Sequence, residues 1–188
     1  TLPIVALGTA AIKSQIDFES AFAGVKKTVD GTEEDFKKLE EGIKQMSKEL
    51  PSSAEDIAAV AESAGQLGIE KDNILGFTRT IIDLGNATNL VGEEGASQLA
   101  KFANITQMSQ KDFDRLGSTI VALGNNMATT EADTVSMAMR LAGAGKQVGM
   151  AEADIMSLSA ALSSVGIEAE AGGSTFSKVM LEIQMAIQ

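Results

Sequence analysis

The sequence contains no cysteine and no histidine. Disulfides, thiolate nucleophiles, Cys/His metal sites and imidazole-based proton transfer are thereby excluded. Tryptophan and tyrosine are also missing, so seven phenylalanines supply the whole 4% aromatic content. A core must then be built from Ala, Leu, Ile, Val, Met and Phe. With 18 glycines, these small side chains suit close helix–helix approach better than a β-sandwich. No segment reaches the roughly 20 apolar residues of a transmembrane helix, so no membrane segment is expected. The uncharged stretch TLPIVALGTAAI, residues 1–12, is short and lacks the basic flank of a signal peptide.

What is present is a chain of 188 residues, 44% apolar, long enough for a buried core. The net charge is −11, which repels a polyanion, so no specific nucleic-acid binding is expected. The charge is uneven. Residues 1–50 carry seven Lys/Arg against nine Asp/Glu, whereas residues 51–188 carry eight against seventeen and are rich in Ala and Gly. This shift at Pro51 suggests two regions, 1–50 and 51–188. The chain starts inside an apolar run without Met and stops inside the helical pattern KVMLEIQMAIQ, as a fragment of a longer protein would.

Residues 9–29 read as a helix, with Ile12, Ile16, Phe22, Val25 and Val29 on its stripe. Asp30-Gly31 breaks it, and Thr32 with Asp35 forms a capping box for the next helix. That helix carries Phe36, Leu39, Ile43, Met46 and Leu50 at 3-4-3-4 spacing and stops at Pro51. Residues 1–50 thus read as an N-terminal helical hairpin. Ser53 with Asp56 opens a third helix, striped by Ile57, Val60, Ala61, Ala64 and Leu67 and stopped by Gly68.

A pattern then recurs three times: IEKDNILGFTRTIIDLG at 69–85, MSQKDFDRLGSTIVALG at 108–124 and MAEADIMSLSAALSSVG at 150–166. Each opens on an apolar residue (Ile69, Met108, Met150) and ends on Gly85, Gly124 or Gly166. Between these lie Ile74, Phe77, Ile81 and Leu84 in the first copy, Phe113, Leu116, Ile120 and Leu123 in the second, and Ile155, Leu158, Leu162 and Val165 in the third. The 3-4-3 spacing predicts one buried helix face per copy, with the glycine as its stop. Asn73, Asp112 and Asp154 precede the stripes and read as first-turn residues favoured by the helix dipole, with Ser109 and Asp112 as a further capping box. Second helical patterns fill the gaps, at 94–105, at 131–148 after a box from Thr130 to Asp133, and at 174–187 with Phe176, Val179, Met180 and Ile183. The expectation is an all-α fold: the hairpin, then divergent helix pairs of about 40 residues, as a bundle or a short solenoid.

Chemical motifs do not survive inspection. LAGAGKQVG at 141–149 lacks the Ser/Thr and the spacing of a phosphate loop and reads as a helix end. GEEG at 92–95 reads as an acidic turn beside a helix rather than a cation site. Asp112 and Asp154 occupy equivalent positions in two copies, where a capping duty explains each better than a catalytic pair. No catalytic, cofactor-binding or metal-binding residue is expected. The residues alone point to a non-enzymatic structural or interaction protein.

Longer phrases carry a resemblance. DFESAFAGVKKTVDGTEEDFKKLEEGIKQMSKELP, IAAVAESAGQLGIEKDNILGF, TNLVGEEGASQLAKFANIT and RLAGAGKQVGMAEADIMSLSAALSSVGIEAEAGGSTFSKVM, in that order from Asp17 to the end, resemble the core region of phage tail tape-measure proteins. The resemblance implies a phage or prophage origin in a bacterium. It implies a long, mostly helical protein in the tail lumen that sets tail length, assembles in the bacterial cytoplasm and leaves during DNA ejection. Tail tube subunits, assembly chaperones and tail-tip or baseplate proteins are its implied partners. Self-association through exposed parts of the stripes is a further expectation. A helical-repeat adaptor without a ruler role is the alternative.

Overall fold

The computed structural model describes the backbone of residues 2–90 and 92–187, and the side chains of 13–90 and 92–186. The fold is all-α. Among the described residues there are nine α-helices: α1 (Leu2–Thr28), α2 (Glu33–Glu49), α3 (Ala54–Gln66), α4 (Ile74–Ala87), α5 (Gly92–Thr106), α6 (Phe113–Asn126), α7 (Glu131–Gln147), α8 (Glu152–Ser164) and α9 (Ala169–Ile187). Short 3₁₀ turns at Lys71–Asn73 and Gln110–Asp112 lead into α4 and α6. The chain forms two compact units, Thr1–Ile82 and Asp83–Gln188, which meet within α4. The composition shift at Pro51 lies elsewhere, in the connection from α2 to α3.

In the first unit α3 lies along α1, and α2 also packs on α3. The closest partner of α1 is thus α3, not the α2 of the expected hairpin. Side-chain size gives the reason. The face of α3 is built from Ala58, Ala61, Ala64 and Gly65, so two backbones can approach closely. A Cβ on Gly65 would lie 2.6 Å from Thr28 Oγ1 and 3.0 Å from the Thr28 carbonyl carbon. Thr28 Oγ1 also donates to Glu62 O across this contact at 3.2 Å. The α1 seam is Phe18, Phe22, Val25 and Val29, all buried. Ile16, expected on it, is 59% exposed, because two residues before Phe18 on a helix is nearly the opposite face. Ile12 lies outside the described side chains. The α2 seam, Phe36, Leu39, Ile43 and Met46, is buried, and Leu50 is the C-cap.

In the second unit α7 is central: α5 and α9 flank it, and α8 and α6 also lie against it, with α6 beside α8. Its position explains why Thr134, Val135, Met137, Ala138, Leu141, Ala142, Ala144 and Gly145 are all buried, far more than one stripe. The segment 141–149 is the C-terminal half of this helix and the turn after it, and GEEG forms the first turn of α5.

Four connections share one form. Helices α3, α5, α7 and α8 each end on a residue with positive φ: Gly68 (+80°), Gln107 (+56°), Gly149 (+82°) and Gly166 (+81°). The next N–H then reaches back to a carbonyl five residues earlier, Ile69 to Ala64 (3.0 Å), Met108 to Ala103 (2.9 Å), Met150 to Gly145 (2.9 Å) and Ile167 to Leu162 (3.2 Å). This is the Schellman closure, which satisfies orphan carbonyls and places an apolar residue just beyond the turn.

Candidate functional site

The capping residues show how the helix ends are held. Asp35 N donates to Thr32 Oγ1 (3.2 Å) while Thr32 N donates to Asp35 Oδ2 (2.9 Å), a reciprocal box. Ser53 Oγ accepts from Asp56 N at 3.1 Å, and Thr130 Oγ1 accepts from Asp133 N at 3.1 Å. Ser109 departs from expectation. Its hydroxyl accepts from Lys111 N at 3.3 Å, not from Asp112, because a 3₁₀ turn intervenes. Asp112 is the N-cap of α6 without a side-chain capping bond, and its carboxylate meets Arg115 Nη1 at 3.4 Å instead. Asp154 stands at the third residue of α8, behind an Ala151 N-cap. Asp112 at the N-cap of α6 and Asp154 in the first turn of α8 both stand where the helix dipole favours a carboxylate.

The repeat stripes are placed as follows. Ile74, Phe77, Ile81, Leu84, Phe113, Leu116, Ile120, Ile155 and Leu162 are buried. Leu123 and Leu158 are half-buried. Val165 is 73% exposed, a correction with a clear cause: α8 ends at Ser164 and Val165 is its C-cap, so it has left the helix face. Met156, Ser159 and Ala160 fill the core there instead. The glycine stops also need correction. Helix α4 runs through Gly85 to Ala87, and α6 runs through Gly124 to Asn126. Their ends are made by Thr88, whose hydroxyl donates to Leu84 O at 2.7 Å, and by Met127, whose N–H donates to Leu123 O at 2.9 Å. Only Gly166 lies beyond its helix. Ile69, Met108 and Met150 close the preceding helix rather than open the next one.

Among the described residues, each unit carries a surface concavity. In the first, an open groove of about 460 Å³ is lined by Thr28, Val29, Asp30, Gly65, Gly68, Ile69, Glu70, Lys71 and Asp72. At its edge Lys71 Nζ donates to Asp35 Oδ2 at 2.7 Å. That bond, then those from the Thr32 backbone and hydroxyl, holds the Asp35 carboxyl far below the usual carboxylate range. The same bond raises Lys71. Arg79, aided by Gln45, lowers Glu49. Lys71 and Glu49 are exposed and Asp35 is half-buried, and each charge has a structural partner near a helix end, so they do not form an acid–base couple. In the second unit a hollow of about 180 Å³ lies among residues at the starts of α6 and α8, including Met108, Asp112, Arg115 and Glu152. Among the described residues, no cluster of three or more His, Cys, Asp or Glu side chains could hold a metal ion. No helix among them is long and apolar enough to cross a membrane.

The surface feature that the sequence reading missed is on α9. Phe176, Val179, Met180 and Ile183 carry the apolar pattern expected of this helix, yet Val179 is 42% and Ile183 55% exposed, and Met185 beyond them is 68% exposed. Helix α9 touches only one side of the core, and 3.6-residue periodicity alone does not say which apolar residues that side receives.

Compared with known families, residues 40–188 match the model described as phage-related minor tail protein. No curated protein and no solved structure matches the chain.

Proposed function

The chain belongs to the phage-related minor tail protein family, a tail structural protein by that membership, and on that premise we propose that it acts as a tail tape-measure protein. In this reading it lies in the tail lumen, sets tail length, is assembled in the bacterial cytoplasm and leaves when DNA is ejected. Its partners are tail tube subunits, assembly chaperones and tail-tip or baseplate proteins. Its role is structural, without catalysis. The family match over 40–188 is the observation that carries the reading. In-frame deletions across the gene test it. Tails shortened in proportion to the deleted length, measured by electron microscopy, are the expected result, and tails of unchanged length overturn the ruler role.

One observation favours a second reading. Short capped helices closed by Schellman turns suit a compact module, whereas a ruler is extended. As an adaptor or docking module, this region would be required for assembly but would not contribute to length. Deletion of it alone would then abolish tails without producing short ones.

A further inference from the structure

Helix α9 is the edge of its layer in the second unit. One side rests on α7, where Ser177 Oγ donates to Arg140 O and Gln184 Nε2 donates to Gln147 O, both at 3.1 Å. About a third of a turn away, Phe176, Val179, Ile183 and Ala186 recur at 3-4-3 spacing. Val179 and Ile183 are 42% and 55% exposed. This is the seam by which one helix receives another. Lys178 and Glu182, both exposed, stand one turn apart along the same edge of the seam.

We propose that this face pairs with α9 of a second copy, antiparallel, about a two-fold axis near Met180. The charges select that occupant and orientation. In an antiparallel helix pair, like edges face each other. Lys178 then meets Glu182 of the second copy and Glu182 meets its Lys178, while Val179 and Ile183 interdigitate between them. A two-fold interface requires such self-complementarity. A parallel pair would set this edge against the opposite one, where Met180 stands, and neither charge would gain a counterpart. The seam spans less than two heptads, well short of the roughly 800 Å² per partner of a standard interface, so the dimer is weak. The inference is independent of the ruler role.

Sedimentation equilibrium on the 188-residue chain, at concentrations up to about 1 mM, tests it. A reversible monomer–dimer equilibrium is expected, abolished by Ile183→Glu. Lys178→Glu should weaken it about tenfold, because symmetry creates two like-charge contacts at once. The double reversal Lys178→Glu, Glu182→Lys should restore it to within about twofold. Both residues and Ile183 are exposed, and circular dichroism checks that each variant keeps its helix content. A wild-type chain that stays monomeric overturns the proposal. So does a dimer indifferent to Ile183→Glu, or a double reversal that fails to rescue the single one.

Discussion

The hydroxyls of Thr78 and Thr134 are buried without a hydrogen-bond partner. Other helical threonines return the bond locally: Thr80 to Gly76 O at 3.1 Å and Thr106 to Phe102 O at 2.9 Å. Burying an unbonded hydroxyl is costly, and valine has nearly the same shape. Thr134→Val should therefore stabilise the chain by about 1 kcal/mol in urea unfolding; a loss of stability would mean that the hydroxyl is satisfied in solution. Asp35 predicts an acid sensitivity. Its carboxyl has an ordinary value of 3.8 when unfolded and a much lower one when bonded to Lys71 and Thr32. Above that ordinary value the carboxylate is ionised in both states and its stabilising contribution is complete. As pH falls below it, the unfolded chain takes up the proton first, and the contribution drains away towards the depressed native value. The melting temperature of the wild type should therefore fall more steeply than that of Asp35→Asn on acidification below about pH 4, and parallel curves would refute the linkage.

Among the elements, the joints decide the fold. Glycine adopts positive φ without a Cβ penalty, whereas Gln107 carries one in the same conformation, at +56°. Gln107→Gly should raise stability by about 1 kcal/mol, and Gly149→Ala should lower it by a similar amount; opposite signs in thermal melts are the check. Much of this level was legible in the sequence. Thr32, Ser53 and Thr130 were readable because a cap and its partner are three residues apart and need no tertiary knowledge. The buried seam of α2 was readable because it is strictly periodic. Gly85 and Gly124 misled because a glycine signals a stop only when its φ is positive, and φ follows from what comes next. In α4 and α6 a later Thr88 or Met127 supplied the closure instead. Gln107 hid a joint because nothing in its side chain announces a left-handed turn. Val165 was misplaced because the apolar period does not show that α8 stops at Ser164, and the exposure of Val179 and Ile183 was not legible because a period shows that a face exists but not whether a neighbour covers it. The close approach of α3 to α1 needs Thr28 and Gly65 to meet across 37 positions, beyond any local signal.

At the scale of the whole molecule, charge dominates. The net −11 is not spread evenly, and residues 51–188 hold most of it. Many of the basic groups there are already engaged. Lys71 and Arg79 are bonded to Asp35 and Glu49, Arg115 to Asp112, and Arg140 lies 3.5 Å from Glu170. Such exposed pairs add little to stability, but they also cancel the local fields that would hold a phosphate backbone. Binding to duplex DNA requires several free cations along one face, each releasing a counterion. The proposed tape-measure role calls for the opposite property, because a tube that later passes DNA must not retain it. The chain should therefore show no retardation of linear duplex DNA in a gel-shift assay even at about 50 mM salt, where phosphate contacts are strong. Reversing the sign at several acidic positions, Glu152→Lys, Glu168→Lys and Glu170→Lys together, should create salt-sensitive binding where none existed. Tight binding by the unmodified chain would mean that its cations are less engaged than these ion pairs indicate, and would separate its role from passage of the genome.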